Sequence, residues 1–380
     1  MPRLSIVSAH TSPLEQPSTG DAGGMNVYLA GVLPELAALG WDVTVLTRGE
    51  GVRGLAPGVS VVGVPVEAAD KYALAASAPA FAAAAAGADV VHSHYWVSGL
   101  AGALTGAPHV HSMHSNSLAK NVRLVPGDVQ EPEERIRAER SVLASADAVV
   151  VAGASERSDV VGGYGVDPAR VVVVPPGVDA RFSPGAAERA LEIVLLGRVQ
   201  PLKGQLLAVQ ALAEIPVGER PLLRLAGGPA PGREGYLEEV RAAARELGVS
   251  EWVRFEGVAD REQAAVLLRG ARLALVPSAA ETFGLIALEA AASATPVLAR
   301  RTTGLVDAVR DGESGVLIDS GDPAAWAAEI RRLLGDDAER ARLGRGGVQW
   351  AAAHSWAAAA TRLDAVYRGL MPTGQPAHIC

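Results

Sequence analysis

Short runs of β-branched and apolar residues alternate with helix-like stretches along the whole chain, and this alternation limits the possible folds more than any other feature. The runs are "LSIVSA", "DVTVLT", "VSVVGVPV", "DVVHSH", "HVHSM", "DAVVVA" and "RVVVVPPGVD", followed by "LEIVLLGR", "PLLRLAGG", "WVRFEG", "RLALVPS", "TPVLAR" and "SGVLID". Strands that are apolar on both faces and separated by helices are typical of parallel sheets covered on both sides. We therefore expect an α/β protein that binds ligands at its strand carboxyl ends.

The alternation restarts after the segment "VDARFSPGAAERA", and a chain of 380 residues is long for one hydrophobic core. We predict two doubly wound, Rossmann-like domains that face a central cleft, one formed by residues 1–183 and the other by residues 184–355. The last helix, at about residues 356–370, has no strand after it and is expected to pack back on the first domain.

Charge and cysteine usage exclude several classes of protein. The formal net charge is −8, from 42 acidic and 34 basic residues, which disfavours nucleic acid as a partner and offers no polybasic segment for a membrane surface. The only cysteine, Cys380, allows no intrachain disulfide. The start "MPRLSIVSAH" becomes polar too early for a secretion signal. We expect a cytoplasmic protein without stable membrane insertion.

The segment "GRVQPLKG" follows a predicted strand and precedes a predicted helix, so it brings Arg198 and Lys203 to a strand carboxyl end. Two cations beside a helix N-terminus suit a diphosphate, because their charge acts together with the free backbone amides. A solvated basic loop without a ligand is the alternative interpretation.

The segment "ETFGLIALE" repeats this geometry in the next layer of the second half. Gly284 allows a close backbone approach, and the amides of Phe283, Gly284 and Leu285 are expected to face an anion. Glu281 precedes the helix and Glu289 lies on it, where a carboxylate can bind the vicinal hydroxyls of a ribose. A sugar nucleotide presents both hydroxyls and phosphates. A capping glutamate followed by an ordinary helical glutamate is the alternative.

A glycine-rich turn in "HTSPLEQPSTGDAGGMNVY" follows the first predicted strand. Gly23 and Gly24 precede a helix that carries Asn26, which is again a geometry suited to phosphate. The spacing is not GxGxxG, so a dinucleotide oxidoreductase is disfavoured.

In this order and spacing, the two glutamates, the basic loop and "PGVD" at residues 176–179 resemble the retaining GT-B glycosyltransferases of family 4, over nearly the whole chain. The resemblance implies a nucleoside diphosphate sugar as co-substrate, with no tightly bound cofactor. It also implies that Arg198 and Lys203 bind the donor diphosphate, that Glu289 holds the ribose and that Glu281 approaches the transferred sugar. The implied donor-binding set is Gly23, Gly24, Arg198, Lys203, Glu281, Phe283, Gly284, Leu285 and Glu289. The chain contains no Asp-x-Asp triplet, which agrees with catalysis that needs no metal.

Three motifs of the first half, "HSHYW", "HSMHSNSLAKN" and "EPEERIRAE", resemble those family members that glycosylate inositol phosphate. Ser115 stands where these members usually have threonine, and the resemblance leaves open whether Arg135 or Arg137 meets the acceptor phosphate. The implied acceptor-binding residues are Asn26, Lys71, Tyr95, Ser115 and Arg135. The implied catalytic residues are His114, beside the reacting sugar, with Glu281, Arg198 and Lys203.

Lysine and histidine are distributed unevenly. The only three lysines, Lys71, Lys120 and Lys203, fall in the predicted ligand loops. Five histidines cluster on two adjacent predicted strands, at positions 92, 94, 109, 111 and 114. A zinc site is the alternative there, but neither cysteine nor Glu-x-x-His spacing supports it. We expect no metal, and hydrogen-bonded core histidines at all of these positions except His114.

The resemblance implies a hexosyltransferase that moves N-acetylglucosamine or glucose from a nucleoside diphosphate sugar, UDP-linked, to a small phosphorylated polyol. The alternatives are sucrose-phosphate synthesis, mannosyl transfer to a membrane lipid, and a non-catalytic sugar-phosphate binding protein. The sequence fixes neither the nucleobase, the hexose nor the number of subunits, and a homodimer remains open.

Overall fold

The computed structural model of the chain describes residues 1–185 and 189–371. Cys380, the single cysteine on which the disulfide argument depends, lies outside the described residues.

The first sheet contains eight strands in the spatial order β3-β4-β2-β1-β5-β6-β7-β8. The strands are β1 (Arg3–Val7), β2 (Asp42–Arg48), β3 (Val52–Ala56), β4 (Val59–Val64), β5 (Val90–His94), β6 (His109–Ser112), β7 (Ala148–Val151) and β8 (Val171–Val173). All the pairings are parallel except that of β3 with β4. The core strands are buried on both faces, as the sequence predicts.

The edge strand β3 is not among the predicted runs and departs from the parallel pattern. It pairs antiparallel with β4 through a tight turn in which Gly58 has φ +75°. Its sequence "VRGLA" lacks the continuous apolar run of a buried strand, and Val52 is 68% exposed. A strand that buries little surface leaves no periodic signal in the sequence.

The second sheet contains six strands in the order β11-β10-β9-β12-β13-β14, and every pairing is parallel. The strands are β9 (Glu192–Leu196), β10 (Leu222–Ala226), β11 (Val253–Gly257), β12 (Leu273–Val276), β13 (Val297–Arg300) and β14 (Gly315–Ile318). This is the doubly wound order, in which the first strand lies at the centre and the order reverses beside it. The prediction of two doubly wound α/β units is confirmed.

Helices cover both faces of the two sheets. Those before β9 are α1 (Gly24–Ala38), α2 (Lys71–Leu74), α3 (Ala78–Ala84), α4 (Trp96–Gly102), α5 (Ser117–Val122), α6 (Glu133–Ser145) and α7 (Ala154–Tyr164). Those after β9 are α8 (Gln205–Ala213), α9 (Glu234–Glu246), α10 (Arg261–Gly270), α11 (Leu285–Ala292), α12 (Leu305–Ala308), α13 (Pro323–Leu334), α14 (Asp337–Ala352) and α15 (Trp356–Leu370). Within the described residues, no helix combines the length and the apolar character needed to cross a membrane.

The last helix, α15, packs against α1 in the first hydrophobic core. The contact is close at Gly31, where a Cβ atom would lie 2.3 Å from the indole ring of Trp356. Two hydrogen bonds also join α15 to the first domain. Trp41 donates its indole N–H to Asp364 over 2.7 Å, and the hydroxyl of Tyr367 lies 2.6 Å from Nδ1 of His92. The chain therefore crosses from the second sheet back to the first before it ends.

Candidate active site

Loops from both sheets line one cleft of about 670 Å³. These loops follow β1, β5, β6, β9 and β12, so the carboxyl ends of strands in the two sheets face a common space. The cleft brings together every predicted site residue except Asn26: Gly23, Gly24, Lys71, Tyr95, His114, Ser115, Arg135, Arg198, Lys203, Glu281, Phe283, Gly284, Leu285 and Glu289.

The loop between β9 and α8 brings Arg198 and Lys203 to the cleft. Gly204 ends the loop with φ +76°, and a Cβ atom there would lie 2.8 Å from the carbonyl oxygen of Pro277. Glycine is thus required for the loop to pack against the end of β12. Nζ of Lys203 lies 2.5 Å from Oε1 of Glu281, while burial lowers the pKa of the Arg198 guanidinium.

The turn into α11 presents backbone amides to the cleft. Gly284 caps this helix with φ +99°, and a Cβ atom there would lie 2.6 Å from Cδ2 of Leu305. Neither the conformation nor the space tolerates a larger residue. Phe283, Gly284 and Leu285 line the cleft, and their amides donate to no backbone group among the described residues, so this edge is favourable for an anion.

Glu289, on the body of α11, is buried and paired with a cation. Nη1 of Arg261 lies 2.5 Å from its Oε1, and the Arg261 guanidinium stacks 4.5 Å from the ring centroid of Phe182. Burial raises the pKa of Glu289, whereas Arg261 lowers it. The ion pair therefore supports an ionised carboxylate at a depth where a lone carboxyl group would keep its proton.

His114 lies just beyond β6 in a left-handed backbone conformation, with φ 54°. The hydroxyl of Thr282 donates to its carbonyl oxygen over 2.9 Å, which joins the two halves of the cleft. Its Nε2 lies 2.7 Å from Nδ1 of His94. Burial lowers the pKa of His114 to about 4, so the ring is uncharged at neutral pH.

The first domain contributes a cationic half of the cleft. Nη2 of Arg135 donates to the hydroxyl of Ser115 over 3.0 Å, and its guanidinium lies 4.9 Å from the ring centroid of Tyr95. Lys71 lines the same region, and burial lowers the pKa of its ammonium. Arg137 is exposed and lies outside the cleft lining, whereas Arg135 lines the cleft.

Glu131 holds the cations of this half in place. Nη1 of Arg135 lies 2.7 Å from its Oε2, and Nζ of Lys120 lies 2.5 Å from its Oε1. Burial alone raises the pKa of this carboxyl, but Arg135, Lys120 and Lys71 together lower it to about 2. The carboxylate therefore stays ionised and reduces the net positive charge that a ligand meets.

The assignment of Asn26 to the acceptor is not supported by its position. Its side-chain amide donates to the hydroxyl of Thr11 over 2.7 Å and to the carbonyl of Ser12 over 2.6 Å. Its oxygen accepts from the amide of Gly23 over 2.8 Å, as the third residue of a helix capping box does. The side chain is buried and fully used in joining the first loop to α1, so it has no group left for a ligand.

Two further polar contacts cross the cleft. The amide of Ser155, at the start of α7, donates to Oδ2 of Asp307 in α12 over 2.9 Å. Nη1 of Arg233 donates to the carbonyl of Gly127 over 2.6 Å. The two domains therefore touch at the helix ends and loops that border the cleft.

The histidine rings of β5 and β6 form hydrogen bonds to neighbouring side chains. The hydroxyl of Ser93 lies 2.7 Å from Nε2 of His109 and 2.9 Å from Nδ1 of His111, so these two rings meet at one hydroxyl group. Over residues 1–185 and 189–371, no cluster of three or more histidine, cysteine or acidic side chains has the arrangement of a metal site.

Comparison with known proteins assigns the family. The family description "Glycosyl transferase 4-like domain" matches residues 23–177, and "Glycosyl transferases group 1" matches residues 179–350. The chain is 42% identical over 403 residues to a D-inositol 3-phosphate glycosyltransferase of Acidothermus cellulolyticus, an alignment that covers 96% of this chain and 90% of that protein. The chain belongs to family 4 of the GT-B glycosyltransferases.

Solved structures agree with this assignment. The sucrose-phosphate synthase of Thermosynechococcus elongatus superposes with a TM-score of 0.88 at 29% identity, covering 97% of this chain and 99% of that one. The Anabaena protein Alr3699/HepE, solved in complex with UDP-glucose, superposes with a TM-score of 0.78 at 17% identity, covering 97% and 99%; this likeness shows the fold alone. The predicted GT-B fold is confirmed, and this family 4 member is a hexosyltransferase.

Arg261, Glu131 and Lys120 line the cleft of this glycosyltransferase, but the sequence reasoning did not nominate them as site residues. Arg261 begins α10, directly after the loop that leaves β11. Its position at a strand carboxyl end is the signal that sequence reasoning overlooked. Glu131 and Lys120 stand within motifs that the sequence analysis quoted, but their mutual pairing depends on how α5 and α6 meet, and no spacing rule encodes that.

Proposed function

We propose that this glycosyltransferase moves N-acetylglucosamine or glucose from a nucleoside diphosphate sugar, UDP-linked, to a small phosphorylated polyol such as inositol phosphate, with retention at the anomeric carbon. The observation that carries the proposal is the division of one cleft into two halves on different domains, each with two cationic side chains. Arg198 and Lys203 stand in one half, and Lys71 and Arg135 in the other.

Donor binding is assigned to the second domain, residues 184–355. The cations Arg198 and Lys203 and the amides of α11 suit a diphosphate, whose charge they neutralise without a metal. The buried carboxylate of Glu289 suits the hydroxyls of a ribose, while Glu281, held by Lys203, suits those of the transferred sugar. These roles agree with the family resemblance and with the depth of each carboxylate in the cleft.

Acceptor binding is assigned to the first domain, residues 1–183. The acceptor half of the cleft offers two cations and two hydroxyl groups, from Lys71, Arg135, Ser115 and Tyr95. Such a set matches a phosphate monoester, because a guanidinium and an ammonium satisfy its oxygens from two directions. The D-inositol 3-phosphate glycosyltransferases, which match over nearly the whole chain, support inositol phosphate as the acceptor.

We propose that retention results from front-side attack, in which the acceptor hydroxyl approaches the anomeric carbon from the same face that the leaving diphosphate departs from. The bond between the anomeric carbon and the β-phosphate oxygen breaks while the acceptor hydroxyl oxygen bonds to that carbon, and the hydroxyl proton passes to the departing phosphate. Arg198, Lys203 and the α11 amides stabilise the charge that develops on the diphosphate. Glu281 is engaged by Lys203, so a double displacement through a carboxylate nucleophile is disfavoured.

A donor and acceptor screen tests the proposal. UDP-, GDP- and ADP-linked glucose and N-acetylglucosamine are each combined with inositol phosphate, fructose 6-phosphate and free inositol, and the product anomer is read by NMR. We expect a UDP-sugar and inositol phosphate to give the highest kcat/KM, with the anomeric configuration retained. Equal transfer to free inositol would refute the phosphorylated acceptor, and an inverted anomer would refute the mechanism.

Sucrose-phosphate synthesis is the second candidate, favoured by the TM-score of 0.88 to the sucrose-phosphate synthase. It uses the same two cationic halves with fructose 6-phosphate as the acceptor, so the screen above separates the two candidates directly.

We further propose that the enzyme works in the cytoplasm and needs no metal for catalysis. Catalysis without a metal is supported by the cations and backbone amides that already line the half of the cleft assigned to the diphosphate. Transfer that persists in excess EDTA is the expected result, and restoration by added Mg²⁺ alone would contradict it.

A further inference from the structure

His94 lies directly behind His114, on the side away from the cleft. It ends β5, is 1% exposed and does not line the cleft, whereas His114 does. Nδ1 of His94 and Nε2 of His114 are 2.7 Å apart, so the pair shares one proton in a hydrogen bond. The backbone around the pair is constrained, with φ 73° at Tyr95 and φ 54° at His114.

Both rings of this pair are neutral at physiological pH. Burial lowers the pKa of His94 well below its ordinary value and that of His114 to about 4. Each ring therefore carries one N–H, and the shared hydrogen bond allows two arrangements. Either His94 donates from Nδ1, or His114 donates from Nε2.

The second nitrogen of His94 distinguishes the arrangements. Its Nε2 is buried and has no hydrogen-bond partner within the described part of the chain. If His114 were the donor, His94 would have to carry its proton on this Nε2, which leaves a buried N–H without an acceptor. If His94 is the donor, only a lone pair is left there. Buried N–H groups without an acceptor are the rarer of the two defects in folded proteins, and their desolvation is unfavourable.

We propose that His94 is a positioning residue that donates its Nδ1–H to Nε2 of His114 and so fixes the His114 tautomer that carries its proton on Nδ1. Among the described residues, Nδ1 of His114 makes no hydrogen bond and is not a buried nitrogen. His114 then offers the cleft a neutral N–H donor aimed at a ligand oxygen. In this tautomer it does not act as a base towards the acceptor hydroxyl. Only this catalytic consequence rests on the proposed glycosyl transfer.

The tautomer is measured on the free protein. Protein labelled with ¹⁵N in its histidine rings is examined by long-range ¹H–¹⁵N correlation, and the His114 signals are assigned by their loss in His114→Gln. We expect a protonated Nδ1 and an unprotonated, hydrogen-bonded Nε2 on His114. A protonated Nε2 would overturn the proposal, whatever the substrates of the enzyme prove to be.

Two variants of His94 test its effect on turnover. Asparagine places an amide N–H close to the position of Nδ1, whereas leucine fills the space without a donor. We expect His94→Leu to lower kcat about tenfold or more with little change in donor KM, and His94→Asn to stay within about threefold of the parent. Affinity for UDP, measured by calorimetry, should be the same in all three proteins.

The outcomes separate the two proposals. Equal losses in the leucine and asparagine variants, at unchanged UDP affinity, would show that the hydrogen bond is not what His94 contributes. Absence of transfer to every acceptor in the parent protein would refute the proposed function and leave the tautomer assignment to be decided by the NMR measurement. If His94→Leu does not fold, the parent spectrum and His94→Asn still decide the question.

Discussion

The ion pair between Arg261 and Glu289 offers a sharp test of how the donor half of the cleft is built. Arg261→Met keeps most of the apolar stem and removes the charge. Removing one partner of a buried ion pair costs about 3–5 kcal/mol. The Arg261 side chain is 23% exposed and that of Glu289 only 5%. Because solvent reaches the arginine, we expect the lower end, about 3 kcal/mol, or a fall of about 6–12 °C in the Tm of a domain of this size.

The defect should depend on pH with a definite sign. Burial raises the pKa of Glu289, and Arg261 opposes that rise, so the pKa increases further in the variant. The folded protein then holds the proton more tightly than the unfolded chain does. Stability therefore falls as the pH rises from the unfolded pKa towards the folded one. We expect a larger loss of stability at about pH 8 than at about pH 5.

Thermal unfolding at both pH values, for the parent, Arg261→Met, Glu289→Gln and the double variant, measures the effect. The double variant carries no unpaired charge, so it should recover most of the stability that Arg261→Met loses. The donor KM of the double variant should still be higher than that of the parent protein, because glutamine weakens the ribose contact proposed for Glu289. A loss of stability that is equal at both pH values and unchanged by Glu289→Gln would refute the reasoning, because it would show that packing against Phe182 is what Arg261 provides.

Three further predictions concern the rest of the cleft. Lys71→Ala should raise acceptor KM about 10- to 100-fold by removing a charged phosphate contact, with donor KM unchanged; the exposed Arg137→Ala is the matched control, and an equal effect from it would remove the assignment. Gly153→Ala adds a Cβ atom 2.4 Å from the Asp307 carboxylate that caps α7 across the contact between the two domains. We expect the clash to open this contact, so X-ray scattering should report a larger radius of gyration and kinetic measurements a higher KM for both substrates. Gly162→Ala, in the same helix with no atom within 4 Å of the added Cβ, should change neither. Asn26→Ala should lower Tm by the loss of buried hydrogen bonds while the ratio of acceptor to donor KM stays constant; a selective rise in acceptor KM would restore the original assignment.

The cleft was more predictable from sequence than the details inside it. Strand carboxyl ends of a parallel sheet meet at one edge, so residues placed there by pattern, such as Lys203 and Glu281, were expected to be neighbours, and they form an ion pair. The structure does not support the acceptor role predicted for Asn26, because its oxygen accepts from Gly23 in a local capping box and its amide donates to Thr11 and Ser12. A motif resemblance carries no information about that competition. The partner of Glu289 is 28 residues away on another helix, and periodicity describes only contacts within one element.

The cations of the cleft differ in whether their removal would leave a carboxylate of the protein without its ion-pair partner. Replacing Arg135 leaves Glu139 without its cation and Glu131 with Lys120 alone, and replacing Lys203 leaves Glu281 without its cation. Activity lost in either variant therefore mixes ligand binding with the cost of an unpaired carboxylate. Lys71 makes no salt bridge to any residue that the structure describes, and burial lowers the pKa of its ammonium. Glu131 and Asp21 act on this ammonium only without direct contact, so an incoming phosphate supplies the ion pair that these carboxylates do not. The substitution at Lys71 is therefore expected to change the affinity for the acceptor without breaking an internal salt bridge. For this reason Lys71, rather than the more deeply buried Arg135, gives the cleaner measurement of whether the acceptor carries a phosphate.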